Sequence, residues 1–164
     1  MIVLKRDENA KPSVISLDFM TAAAAKQLGA AFAQIEPWSR YPFSEESLTR
    51  FLSERESDAP RYVIYADAAV AGAICVRGKW LRGPYLQFLG VVPKFQKRGY
   101  GQLAFAWFEA HARQTAMDNF WVAASSFNAS AIGFYERLGF KQVAVLDDLI
   151  KPGFSELLFR KRLT

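Results

Sequence analysis

The segment Val91-Val92-Pro93-Lys94-Phe95-Gln96-Lys97-Arg98-Gly99-Tyr100-Gly101 constrains the fold more than any other part of the chain. It follows a mostly apolar run, Tyr85 to Val92. It precedes an Ala- and aromatic-rich stretch in which Phe105, Phe108 and Ala112 recur at helical spacing. A strand, a sharp turn and a helix start are expected in that order. Gly99 and Gly101 permit close backbone approach, and N–H groups at the head of a helix can converge on an anion. Lys94, Lys97 and Arg98 add positive charge at the same turn. The turn therefore predicts a phosphate-bearing small molecule as ligand.

The flanking sequence supplies the remaining elements. Val14 to Leu17 reads as a first strand. Thr21 caps a helix reaching Gln34, and Ser44 caps a second reaching about Glu56. Between them, Glu36 to Phe43 is an aromatic loop broken by prolines. Tyr62–Tyr65 and Val70–Val76 form a hairpin. After a helix over about Tyr100 to Thr115 come a strand at Phe120–Ala124, a helix that Asn128 or Ser130 starts and that ends before Gly139, and strands at Phe140–Leu146 and Ser155–Arg160, with Leu163 continuing the last alternation. This order predicts a mixed α/β (α+β) domain with about seven strands and four main helices. A chain of 164 residues suits one domain, 1–164, and at this size buries roughly 70% of its unfolded surface.

Composition removes several classes. One cysteine, Cys75, and one histidine, His111, cannot build a zinc cluster, so no metal is expected. A formal charge of +5 weakly favours anionic ligands. The basic run Arg160-Lys161-Arg162 belongs to an alternating strand and does not form a dense phosphate-contacting face, so no nucleic-acid partner is expected. No run approaches the ~20 apolar residues of a membrane span, and Met1 to Asn9 lacks the apolar stretch of a secretory signal. A cytoplasmic protein without a membrane partner is expected.

Gln96-Lys97-Arg98-Gly99-Tyr100-Gly101 resembles the acyl-CoA pyrophosphate loop of the GNAT superfamily of N-acetyltransferases. Asn128-Ala129-Ser130-Ala131-Ile132-Gly133-Phe134-Tyr135-Glu136-Arg137-Leu138-Gly139-Phe140 resembles that family's later Asn-to-Gly-Phe segment. The two occur in the family's order and at its separation. The resemblance implies a three-layer domain around a central, mostly antiparallel sheet that splays between the fourth strand, at Tyr85–Val92, and the fifth, at Phe120–Ala124. It also implies transfer of an acetyl group from acetyl-CoA to a primary amine on a small molecule, peptide or protein. Pro37-Trp38-Ser39 followed by Phe43 adds a faint similarity to the alanine N-acetyltransferases of ribosomal proteins.

By that resemblance, backbone N–H groups of Arg98, Gly99, Tyr100 and Gly101 hold the pyrophosphate, with Lys97 beside it. Gln96 turns toward the cofactor or closes the loop, and Leu89 and Val91 present backbone groups to the pantetheine amides. Asn128 contacts the cofactor arm or simply caps a helix. Tyr135 gives its proton to the departing thiolate, or else packs beside Ile132 and Phe134. The base is open between Glu36 and a backbone carbonyl with ordered water. Trp38, Tyr41 and Phe43, with Trp80, line an acceptor groove or anchor their loop. The family's acid on the fourth strand is missing, which keeps a CoA-binding regulatory module without turnover as an alternative. A homodimer through the last strands stays open.

Overall fold

Thr21 and Ser44 start the first two helices in the manner their side chains dictate. In α1 (Ala22–Ala33), Thr21 Oγ1 accepts the Ala24 N–H at 3.2 Å. In α2 (Glu45–Ser53), Ser44 Oγ accepts the Ser47 N–H at 3.1 Å, and Glu45 and Glu46 face the positive helix end. The helix stops short of the expected Glu56 because buried Arg61 claims its end. Arg61 Nε donates to the Phe51 carbonyl at 2.9 Å, and its Nη2 binds Glu54 and Glu56 at 2.6 and 2.8 Å. Those ion pairs draw residues 54–56 out of helical geometry and toward the sheet. α3 spans Tyr100–Arg113, and α4 spans Ala129–Arg137 with Gly139 beyond it at φ 88°.

The computed structural model describes residues 1–5, 14–114 and 117–162, so the expected helix end at Thr115 and the expected strand residue Leu163 lie outside the described residues. Among the described residues eight strands build one sheet: β1 (Ile2–Lys5), β2 (Val14–Phe19), β3 (Arg61–Ala66), β4 (Ala69–Trp80), β5 (Gly83–Val91), β6 (Asn119–Ser125), β7 (Lys141–Asp147) and β8 (Ser155–Arg162), in the order β1-β2-β3-β4-β5-β6-β8-β7. The extra strand relative to the expected seven is β1, which pairs antiparallel with β2 from Ile2↔Leu17 to Lys5↔Val14. Its apolar run is too short to show a period. Every neighbouring pair is antiparallel except β5 and β6. Among the described residues no helix is long and apolar enough to cross a membrane.

Strand alternation sorts the side chains into two cores, giving three layers. On one face Ile64, Ile74, Leu86, Phe120, Val122 and Phe159 pack against Phe105 and Phe108 of α3 and Tyr135 of α4. On the other, Val63, Ala73, Cys75 and Phe88 pack against Leu28 and Phe32 of α1 and Leu48 and Leu52 of α2. Cys75 is a buried small hydrophobe whose thiol burial pushes up to about 11. Leu86 and Phe88 are two apart yet serve opposite cores. The register jumps from Cys75↔Phe88 to Val76↔Leu86, so Gln87 is a bulged residue that reverses the facing of the strand.

The helices over the second core approach closely at Gly29. A Cβ there would lie 2.2 Å from Thr49 Oγ1 and 2.8 Å from the Thr49 backbone nitrogen. The methyl that normally favours a helix has no room in this one. Gly29→Ala is expected to destabilise the fold by about 1–3 kcal/mol in spite of its better helix propensity, as measured by chemical denaturation.

Candidate active site

The parallel strands β5 and β6 are in register at only Tyr85↔Trp121 and Leu86↔Val122. Beyond that point β5 keeps its ladder to β4 but has no strand partner on its other edge among the described residues. The Val92 N–H donates to the Ala71 carbonyl at 2.9 Å, on the β4 side. Alternation then turns the N–H and C=O of Val91, and of Leu89 two residues earlier, toward the gap. Gln96 Nε2 donates to Val91 O at 2.8 Å from that open side. That bond ties the loop back to the end of β5.

A short 3₁₀ turn, Pro93–Phe95, leads to the glycine turn, where Lys97 has φ 59° and Gly99 φ 82°. No side chain caps α3 at Gly99, and a helical bond runs from the Leu103 N–H to Gly99 O at 3.0 Å. The N–H groups of Tyr100, Gly101 and Gln102 therefore have no intrahelical acceptor and lie at the positive end of the helix dipole. The Tyr100 ring packs into the core, so only its backbone serves the turn. A Cβ on Gly101 would meet Val91 Cγ2 at 3.8 Å and nothing nearer. Protein packing does not demand this glycine, and glycine costs a helix about 1 kcal/mol relative to alanine. Space is thus kept over free amide donors, a cradle that fits a diphosphate. Lys94 and Arg98 lie 5.5 and 5.9 Å from the Phe95 ring centroid, and Lys97 is exposed beside them.

Further along the gap a cavity of about 360 Å³ opens among the α1–α2 connection, β5, β6 and α4. It gathers Trp38, Tyr41, Phe43, Leu89, Asn128 and Tyr135, residues that lie far apart in the chain. Trp38 both lines the cavity and anchors its loop, with its ring centroid 4.7 Å from Phe32 and 4.8 Å from Phe88. A Cβ on Gly90 would meet Phe32 and Trp38 ring atoms at 2.8 Å, so that glycine seats the tryptophan. Asn128 Oδ1 caps α4 through the Ala131 N–H at 3.1 Å, and the residue also lines the cavity. Tyr135 packs against Phe134 and Phe140 as well as lining the cavity. Burial, with a smaller contribution from Tyr85, raises its pKa well above the ordinary phenol value.

Glu36 is not brought to this cavity. Its side chain is 57% exposed and binds Arg40 Nε at 2.7 Å, a pairing that the i,i+4 spacing favours. Trp80 lies outside the lining too, with its ring centroid 4.8 Å from Tyr85 and 5.5 Å from Trp121. His111 is exposed and stacks on Trp107. The cavity instead contains Glu156, on β8, which sequence reasoning places only as a strand residue. Tyr41 Oη donates to Glu156 Oε1 and lies 2.9 Å from Ser125 Oγ. The single phenol proton serves the carboxylate, so the Ser125 hydroxyl donates to the phenol oxygen. The available signal was an acidic residue sharing a strand face with Leu158. Among the described residues no His, Cys, Asp and Glu cluster could hold a metal ion.

Residues 23–140 match the model of the Acetyltransferase (GNAT) family. An uncharacterised N-acetyltransferase of Bacillus cereus is 30% identical over 111 residues, which cover 62% of this chain and 66% of that protein. The matched segment thus spans just under two thirds of that relative's length. The ribosomal-protein-S18-alanine N-acetyltransferase of Escherichia coli superposes with a TM-score of 0.72 at 16% identity, over 92% of this chain and 94% of that one. An acetyltransferase from Thermus thermophilus superposes with a TM-score of 0.73 at 18% identity, over 91% and 97%. At such identities the two structures share the fold with this chain.

Burial, then the bond to Glu156, pushes Tyr41 up to about 12. Its proton is held more tightly in the folded state than at the ordinary phenol value of about 10. The unfolded chain therefore ionises first, and stability present below pH ~10 is lost as pH rises toward the folded value. Tyr41→Phe is expected to flatten the fall in stability between about pH 10 and 12, as read by denaturation at a series of alkaline pH values.

Proposed function

The chain belongs to the GNAT acetyltransferase family, and from that membership we propose that it transfers an acetyl group from acetyl-CoA to a primary amine. The observation that carries the reading is the parting of β5 from β6. It leaves the edge of β5 without a strand partner between the N-terminus of α3 and the cavity that Leu89 and the buried Tyr135 line.

Acetyl-CoA, when bound, supplies the acetyl group as a thioester whose sulfur can depart. The N–H groups of Gly99, Tyr100, Gly101 and Gln102 would hold its pyrophosphate, because the helix dipole and orphan donors both favour an anion there. Leu89 and Val91 offer the edge of β5 to the amides of the cofactor arm, as a missing strand would. Asn128 Nδ2 adds a donor near the same path. Tyr135 keeps its proton at neutral pH because burial disfavours the phenolate. Its hydroxyl can therefore donate a hydrogen bond to sulfur as negative charge grows there, the proton would follow as the thiol forms, and the proton that the amine nitrogen sheds on becoming an amide would restore the phenol through water. The apolar walls around Tyr135 limit water that would otherwise compete with the amine.

Thiol release from acetyl-CoA in the presence of a panel of amines tests the reading. Saturable, amine-dependent release is expected. Acetyl-CoA binding without release from any amine would favour a binding module. Tyr135→Phe is expected to lower kcat by about 10²–10³-fold with CoA affinity unchanged. Equal loss of CoA binding would show a packing role only. Gly101→Ala is expected to stabilise the fold, by up to about 1 kcal/mol, while weakening CoA binding, a pairing visible by thermal denaturation and calorimetry.

A further inference from the structure

Glu156 is 6% exposed and lines the cavity, yet no Lys or Arg among the described residues forms an ion pair with it. Among the described residues the other partly sheltered carboxylates are paired: Glu56 binds Arg61 and Arg77, Asp58 lies 3.8 Å from Arg77, and Glu109 binds Lys161. Tyr41 occupies Oε1 of Glu156. The described residues contain no fully buried side-chain oxygen or nitrogen lacking a hydrogen bond, so Oε2, which receives no hydrogen bond from them, keeps some exposure on a residue that lines the cavity. A sheltered carboxylate without a cation is costly, and a cationic ligand would relieve that cost.

The rest of the wall limits what that cation can be. Glu156 is the one charged side chain lining the cavity among the described residues. Trp38, Phe43, Phe51, Tyr85 and Phe88 give it aromatic faces and edges. These suit an apolar body and attract one positive charge through their ring quadrupoles. A second ammonium would be desolvated against rings with no counter-charge, and a substrate carboxylate beside the ammonium would face Glu156.

The geometry points to an acceptor that is a compact primary amine with a single positive charge and an apolar body, its ammonium held by Glu156. Tyr41 is the positioning residue: its phenol fixes one carboxylate oxygen and leaves the other to the ligand, while Ser125 fixes the phenol. This assignment of substrate class rests on the acetyl-transfer reading, but the binding it requires does not need turnover.

Isothermal titration of 2-phenylethylamine into the CoA-loaded protein separates the two. Glu156→Gln keeps a group that can bond Tyr41, so unchanged Tm and CoA affinity are expected. Amine affinity is expected to fall roughly 10- to 100-fold, the worth of a hydrogen bond to a charged group. Tyr41→Phe is expected to weaken the amine by a smaller factor and to carry the test if Glu156→Gln does not fold. Spermidine and phenylalanine are expected to bind the wild type at least about tenfold more weakly than 2-phenylethylamine. Equal amine affinity in wild type and Glu156→Gln, no amine binding by the wild type, or preference for spermidine or a free-N-terminus hexapeptide would overturn the inference. Glu156-dependent binding without thiol release would sink the transferase reading and leave the amine site standing.

Discussion

Two parallel strands that hold each other through Tyr85↔Trp121 and Leu86↔Val122, and then separate, organise everything else in this molecule. A sheet normally satisfies its interior backbone by continuous pairing. Here β5 is satisfied on the β4 side along its length, while its other edge turns bare inside the domain. The bulge at Gln87 contributes to this geometry, since it reverses which core the strand faces just where the strands part. One consequence is that Phe88 joins Trp38 and Phe32 on the α1–α2 side while Leu86 joins the α3 core.

The gap would be a defect if nothing filled it. At its upper end the chain places a helix start with no side-chain cap and a glycine whose missing methyl no protein atom requires. At its lower end it places phenols whose protons are held tightly by burial, and one carboxylate without a counter-ion among the described residues. Each departs from what stability alone would select: capped helices, helical alanine, exposed or paired charges. The departures lie along one path, consistent with a ligand that is anionic at one end and a second ligand that is cationic at the other.

Much of the scaffold was legible locally. Thr21, Ser44, Asn128 and Gly139 take up their cap positions because capping depends on a few adjacent residues. The glycine turn before α3 was legible for the same reason. The end of α2 was not, because Arg61 reaches it from a neighbouring strand. Strand β1 was not, because four residues carry too little period and are defined by pairing with β2.

The sequence by itself determined the order of elements from β2 onward and the glycine turn before α3, since these follow from hydrophobic period, caps and glycines read over short windows, while the three layers came with the family resemblance. Only the tertiary structure decided which carboxylate shares the cavity with Tyr135. Glu36 sits in the aromatic loop that supplies Trp38 and Tyr41, yet turns outward to Arg40. Glu156, on the far side of the chain, is carried inward by its register opposite Ser125 on β6. Facing is set by pairing between distant strands, and a slip of one residue would invert it, so no local window contains that information.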